Sequence, residues 1–115
     1  MNKLRVTDVC PFALAEEDGA KIYSIIASFL EKGESICVDF ADINLFATPF
    51  FNTSLGAAIV KYGVEKFDSL IEVSNLDPLG IETYEHSRSN AIAFIENRVD
   101  KARIASIVEQ NLQGD

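Results

Sequence analysis

Asp39 and Asp42 stand three positions apart at the end of an apolar run, and their carboxylates could do chemistry together. A pair of this kind can hold a divalent cation or meet a basic partner. It can equally be a solvated loop in which Asp42 bonds its own backbone. Magnesium sites with so few carboxylates usually take substrate phosphates as well. The chain has neither a P-loop nor a GxGxxG to bring phosphate there, so no metal or other cofactor is expected. His86 lies beside Ser87 and Ser89, with Glu82 and Glu85 nearby. Nucleophile and base must meet in space, and this run has neither a triad order nor a nucleophile elbow. A non-catalytic protein is expected. Cys10 and Cys37 form no CxxC pair and have no histidine close in sequence, so neither zinc nor a redox couple is expected. What remains is a cluster of hydroxyls, Thr48, Thr53 and Ser54, set among Phe46, Phe50 and Phe51.

The elements that must position these residues follow from the totals and the periodicity. At 115 residues, 48% hydrophobic and 24% charged, the chain reads as one folded domain over 1–115. Its net charge of −8 repels phosphate backbones and anionic lipid, so binding to nucleic acid or membrane is disfavoured. The acidity serves either solubility or a basic partner. Cys37, within Ile36-Cys37-Val38, reads as a small buried hydrophobe in a reducing compartment. The chain opens without a signal-peptide pattern and has no run long enough to span a bilayer, so a cytoplasmic protein is expected.

Leu4, Val6 and Val9 suggest a short strand ended by Pro11. Asp18-Gly19 opens a helix with Asp18 as its cap, and Ile22, Ile25, Ile26, Phe29 and Leu30 form one stripe closed by Lys32-Gly33. Ser35–Phe40 reads as a central strand buried on both faces, with Asp39 at its carboxyl end. Thr48-Pro49 starts a second helix with Thr48 as its cap. Its face runs through Phe51, Leu55, Ala58, Ile59 and Tyr62 to Gly63. Residues 64–68 read as a linking turn, 70–74 as a third strand, and about 79–112 as a long helical region. A break at 85–90 is left open. This alternation predicts an α/β fold: a small, mostly parallel sheet with helices packed on it.

Between Gly33 and Asn75 the residues also resemble a known family. Val38-Asp39-Phe40 is followed by Ile43-Asn44-Leu45-Phe46, then Ala47-Thr48-Pro49-Phe50-Phe51-Asn52, then Leu55-Gly56-Ala57-Ala58-Ile59. Asp18-Gly19-Ala20 fits upstream. This pattern resembles the STAS superfamily of anti-sigma-factor antagonists, and more closely a small bacterial STAS-like family of unknown function. The resemblance implies a regulatory switch that docks a histidine-kinase-like ATPase and is phosphorylated on a serine at the start of the second helix. Here Pro49 stands where that serine would be, and Phe50 stands where the STAS-like family often has one. Thr48, Thr53 and Ser54 are the remaining candidate phosphoacceptors, with helix-end or ordinary helical roles as the alternative.

The leading expectation is therefore a protein-binding regulatory module with a face around Asn44, Phe46, Thr48, Phe50 and Asn52. For Phe46 and Phe50 a place in the core is the first alternative to an exposed docking pair. Ile104, Ile107 and Val108 offer a second function, self-assembly into a homodimer through the last helix. A small nucleotide- or ligand-binding domain at the carboxyl edge of the sheet is a third.

Overall fold

A computed structural model describes residues 2–113, with side chains described over 2–98. Ile104, Ile107 and Val108 lie outside the described side chains. The sheet has three strands, β1 (Asn2–Arg5), β2 (Ile36–Asp39) and β3 (Ile71–Ser74), in that spatial order. Both pairings are parallel, with Leu4 level with Val38 and Val38 level with Val73. Alternation along the strands sends Leu4, Ile36, Val38, Ile71 and Val73 into the hydrophobic core. The opposite face carries Lys3, Arg5, Cys37, Asp39, Glu72 and Ser74. β2 is central, as its composition predicts, but its second face is polar. The first strand ends earlier than expected: Val6–Asp8 is a 3-10 turn, with Val6 buried.

α1 (Glu16–Lys32) buries Ile22, Ile26 and Leu30 and leaves Ile25 and Phe29 half-buried. Asp18 is not its cap. Extended Ala15 takes that position, and Asp18 falls in the first turn with Glu16 and Glu17. A carboxylate still favours the positive helix end there, and Asp18 pairs with Lys21 at 3.6 Å. Gly33 closes the helix at φ 70°; its N–H donates to the Leu30 carbonyl, and that of Glu34 to Phe29. This double return needs a left-handed residue, which glycine adopts without a Cβ clash.

The helix expected from Thr48 to Gly63 is two helices, α2 (Thr48–Thr53) and α3 (Leu55–Tyr62). The break is at Ser54, with φ −112° and ψ −94°. Its hydroxyl donates to the Phe50 carbonyl at 2.8 Å, a back-bond that competes with the helical ladder and bends the chain. Thr48 does not cap α2; extended Ala47 precedes the helix and Thr48 is its first residue. The expected linking turn is α4 (Val64–Leu70), anchored by buried Phe67. α5 (Pro78–Gln113) runs unbroken through 85–90, about 54 Å at 1.5 Å per residue. Asp77 caps it, accepting from the Gly80 N–H at 2.8 Å. Arg88 then ties α5 to α4 with two bonds to Asp68, at 2.8 and 2.6 Å. That carboxylate raises the guanidinium pKa further.

Gly19 lets α1 and α2 approach closely. A Cβ there would collide with the Thr53 hydroxyl and sit 2.5 Å from the Phe50 carbonyl. Alanine normally helps a helix interior by about 1 kcal/mol over glycine. Here Gly19→Ala is expected to destabilise by about 1–3 kcal/mol, because a backbone atom must move. A lower urea midpoint with unchanged slope is the result to look for.

Candidate functional site

The carboxyl ends of the three strands are tied together by one carboxylate. Asp39 is buried, and its Oδ1 accepts from the Ala41 N–H at 2.9 Å and from Asn75 Nδ2 at 2.8 Å. Its Oδ2 lies 3.2 Å from Lys3 Nζ. The bond from Asn75, then that from Ala41, hold its pKa below the usual carboxylate value, with Lys3 adding to them against the opposing effect of burial. Asp39 thus spans from β1 to the residue after β3. Asp42 points elsewhere: it is exposed, in the left-handed region at φ 68°, and 3.9 Å from Arg5. The two aspartates therefore do not form a cation site. Among the described residues no group of three or more His, Cys, Asp or Glu side chains is placed to hold a metal.

Above this clamp, residues 12–14 lie alongside residues 45–47. The Ala13 N–H donates to the Leu45 carbonyl at 3.0 Å, and that of Ala47 to the Ala13 carbonyl at 2.8 Å. Ala13 is level with Phe46, and both pack inward. Alternation about this bridge puts Phe12, Leu14 and Leu45 on its outer side. They are 44%, 40% and 46% exposed. This apolar group was missed at the sequence level, where 12–14 had no assigned partner. Thr48 follows directly. With Leu79, Glu82, Thr83 and His86 it lines a shallow groove of about 300 Å³ between α2 and the start of α5.

The residues singled out for a docking face divide here. Asn44 is exposed and Thr48 half-exposed, both beside the apolar group. Asn52 is exposed one turn along α2, and its side-chain carbonyl accepts from buried Ser87 at 2.6 Å. Phe46 is half-buried, stacked on Phe51 at 6.1 Å, and supports the loop from beneath. Phe50 does not belong to the surface. It is fully buried against Phe40 and Phe51, because α2 is covered by both α1 and α5.

The candidate phosphoacceptors divide in the same way. Ser54 is fully buried with its hydroxyl committed to Phe50, so no kinase can reach it without unfolding α2. Thr53 faces the Glu16, Pro49 and Phe50 carbonyls at 3.0–3.1 Å, inside the close α1–α2 packing. A phosphate there would separate the two helices. Thr48 and Thr53 are both half-exposed, but of the three only Thr48 lines the groove between α2 and α5. The Ser87 hydroxyl points to Asn52 rather than to exposed His86, so the two do not form a nucleophile–base pair.

Residues 18–80 match the family model described as a STAS-like domain of unknown function (DUF4325). The chain belongs to this STAS-like family. No curated protein and no solved structure matches it. The STAS-like segment begins in the first turn of α1 and ends in the first turn of α5. It includes Gly19, Asp39, Leu45 and Thr48, while Phe12 and Leu14 precede it. Most of α5 lies beyond it. Among the described residues no helix is long and apolar enough to cross a membrane.

Proposed function

We infer that this STAS-like chain is a non-catalytic regulatory domain of the bacterial cytoplasm that binds another protein. Its docking face comprises Phe12, Leu14, Asn44, Leu45 and Thr48, extended along the α2–α5 seam to Asn52. The observation that carries this reading is the apolar group at the carboxyl edge of the sheet. Its three large side chains are each 40–46% exposed on a segment held by two backbone hydrogen bonds. Apolar side chains grouped on a rigid edge are what a partner's pocket buries on docking. The resemblance to anti-sigma-factor antagonists supports a histidine-kinase-like ATPase as the partner.

Thr48 is then the residue at which that ATPase sets the switch. Phosphate would place a bulky, strongly hydrated group of about −1.5 to −2 charges beside Leu79 in the groove, at the margin of the apolar group, where the cost of desolvating it opposes re-docking. The test is recovery of the tagged protein from its host with and without ATP. An ATPase of that fold is expected with the wild type, released by ATP as phosphate appears on Thr48, and absent with Thr48→Glu. Recovery of the protein alone, or release by ATP without modification of Thr48, contradicts the corresponding part of the reading.

A second reading, self-assembly through α5, draws on Phe94. This side chain is 55% exposed beneath Arg98, in an apolar groove shared with Ala57, Val60 and Lys61 of α3.

A further inference from the structure

The charges around the docking face say what kind of segment it takes. This inference rests on the docking reading above and deepens it. Leu14 is followed within three residues by Glu16 and Glu17 at the start of α1, both exposed. On the other side, Leu79 is 55% exposed in the groove with Thr48, and exposed Glu82 stands one turn further along α5. None of these three glutamates takes part in an ion pair among the described residues; the cations that do form pairs, Lys3, Arg5, Lys21 and Arg88, pair with aspartates. The apolar group is thus flanked on two sides by uncompensated negative charge, on a chain of net charge −8.

The geometry points to a basic amphipathic segment as the occupant: one or two large apolar side chains seated over Phe12, Leu45 and Leu79, with lysine or arginine reaching Glu16, Glu17 and Glu82. Apolar contact supplies the anchor, while the charges set register and encounter rate and exclude acidic competitors. A second copy of this acidic chain would bring like charge to the same rim.

A fluorescein-labelled amphipathic peptide of leucine and lysine, and its leucine–glutamate counterpart, test this by anisotropy titration. The lysine peptide is expected to bind, less tightly as salt rises, and the glutamate peptide not to bind. Leu45→Asp makes the chain more acidic, so a merely electrostatic association would strengthen. Docking instead predicts binding about 30-fold weaker, as for loss of an anchor. Glu16→Lys with Glu17→Lys and Glu82→Lys should also weaken it, with the fold retained by circular dichroism and the urea midpoint lowered only by the two cations placed at the positive end of α1. If the glutamate peptide binds and Leu45→Asp abolishes that binding, the docking face stands and the basic occupant is overturned. If neither peptide binds, or Leu45→Asp leaves the lysine peptide unaffected, the proposal is overturned and the docking face itself loses its support. A dimer in sizing chromatography that Leu45→Asp converts to monomer also overturns it, since a second copy then occupies the face.

Discussion

Phe51→Ala is expected to lower folding stability by about 3–5 kcal/mol, the range for emptying a large aromatic site in a packed core. Phe51 is fully buried, with ring centroids of Phe50, Phe40, Tyr84 and Phe46 at 5.4, 5.7, 5.7 and 6.1 Å. These rings come from α2, the residue after β2, α5 and the loop beneath Leu45. One truncation therefore loosens the joint between sheet, loop and long helix. The loss should exceed that for Phe46→Ala, whose ring is half-buried and retains solvent on one side. Urea unfolding of both variants checks the order as well as the size. A loss at Phe46 as large as that at Phe51 would contradict the placement of Phe51 at the centre of the cluster.

Asp39→Ala is expected to destabilise by about 2–4 kcal/mol. Hydrogen bonds to a charged group are worth about 1.5–3 kcal/mol each; both are lost here, leaving the half-buried Ala41 N–H without its partner while the exposed Asn75 amide turns to water. Lys3 adds little, because its ammonium is mostly exposed. The pH dependence follows from the direction of the shift. The folded pKa of Asp39 lies below the unfolded value of about 3.9. The unfolded state therefore binds the proton more readily as pH falls, and acid favours unfolding through this group. Its contribution is complete above about pH 5 and is lost as pH falls through the folded pKa. The gap between wild type and Asp39→Asn should accordingly narrow in acid. A gap that stays constant from neutral pH to about pH 3 would assign the effect to packing.

Much of the scaffold was legible because its signals are local. The α1 stripe at i, i+4 and i+8 through Ile22, Ile26 and Leu30, the left-handed stop at Gly33, and the apolar run of β2 each need only a short window. α4 was hidden because a seven-residue helix held by one buried phenylalanine carries too little periodicity to distinguish it from a turn. Ser54 looked like an ordinary helical residue; only its bond to Phe50 shows that the helix divides there. Capping was misassigned at Asp18 and Thr48 because both hydroxyl and carboxylate residues are also acceptable just inside a helix, and Ala15 and Ala47 carry no signal.

The candidate site was half legible for a related reason. Asp39, Asn44, Thr48 and Asn52 lie on one contiguous stretch with a readable pattern. Phe50 fell on the wrong side because α2 is buried on more than one face, so helical periodicity does not separate it from Phe51. Phe12 and Leu14 could not be placed, since their exposure arises from the pairing of residues 12–14 with 45–47, more than thirty positions away.

The central claim is that a protein partner docks at the carboxyl edge of the sheet, and one comparison separates it from assembly through α5. The affinity of the proposed ATPase partner would be measured for the wild type, for Leu45→Asp and for Phe94→Asp. Both substituted side chains are about half exposed, so neither change should disturb folding. The account predicts that Leu45→Asp weakens the complex by about 30-fold, the scale of an anchor residue, while Phe94→Asp leaves it unchanged. The reverse pattern, loss at Phe94 with Leu45→Asp still binding fully, would contradict it and move the interface to the long helix.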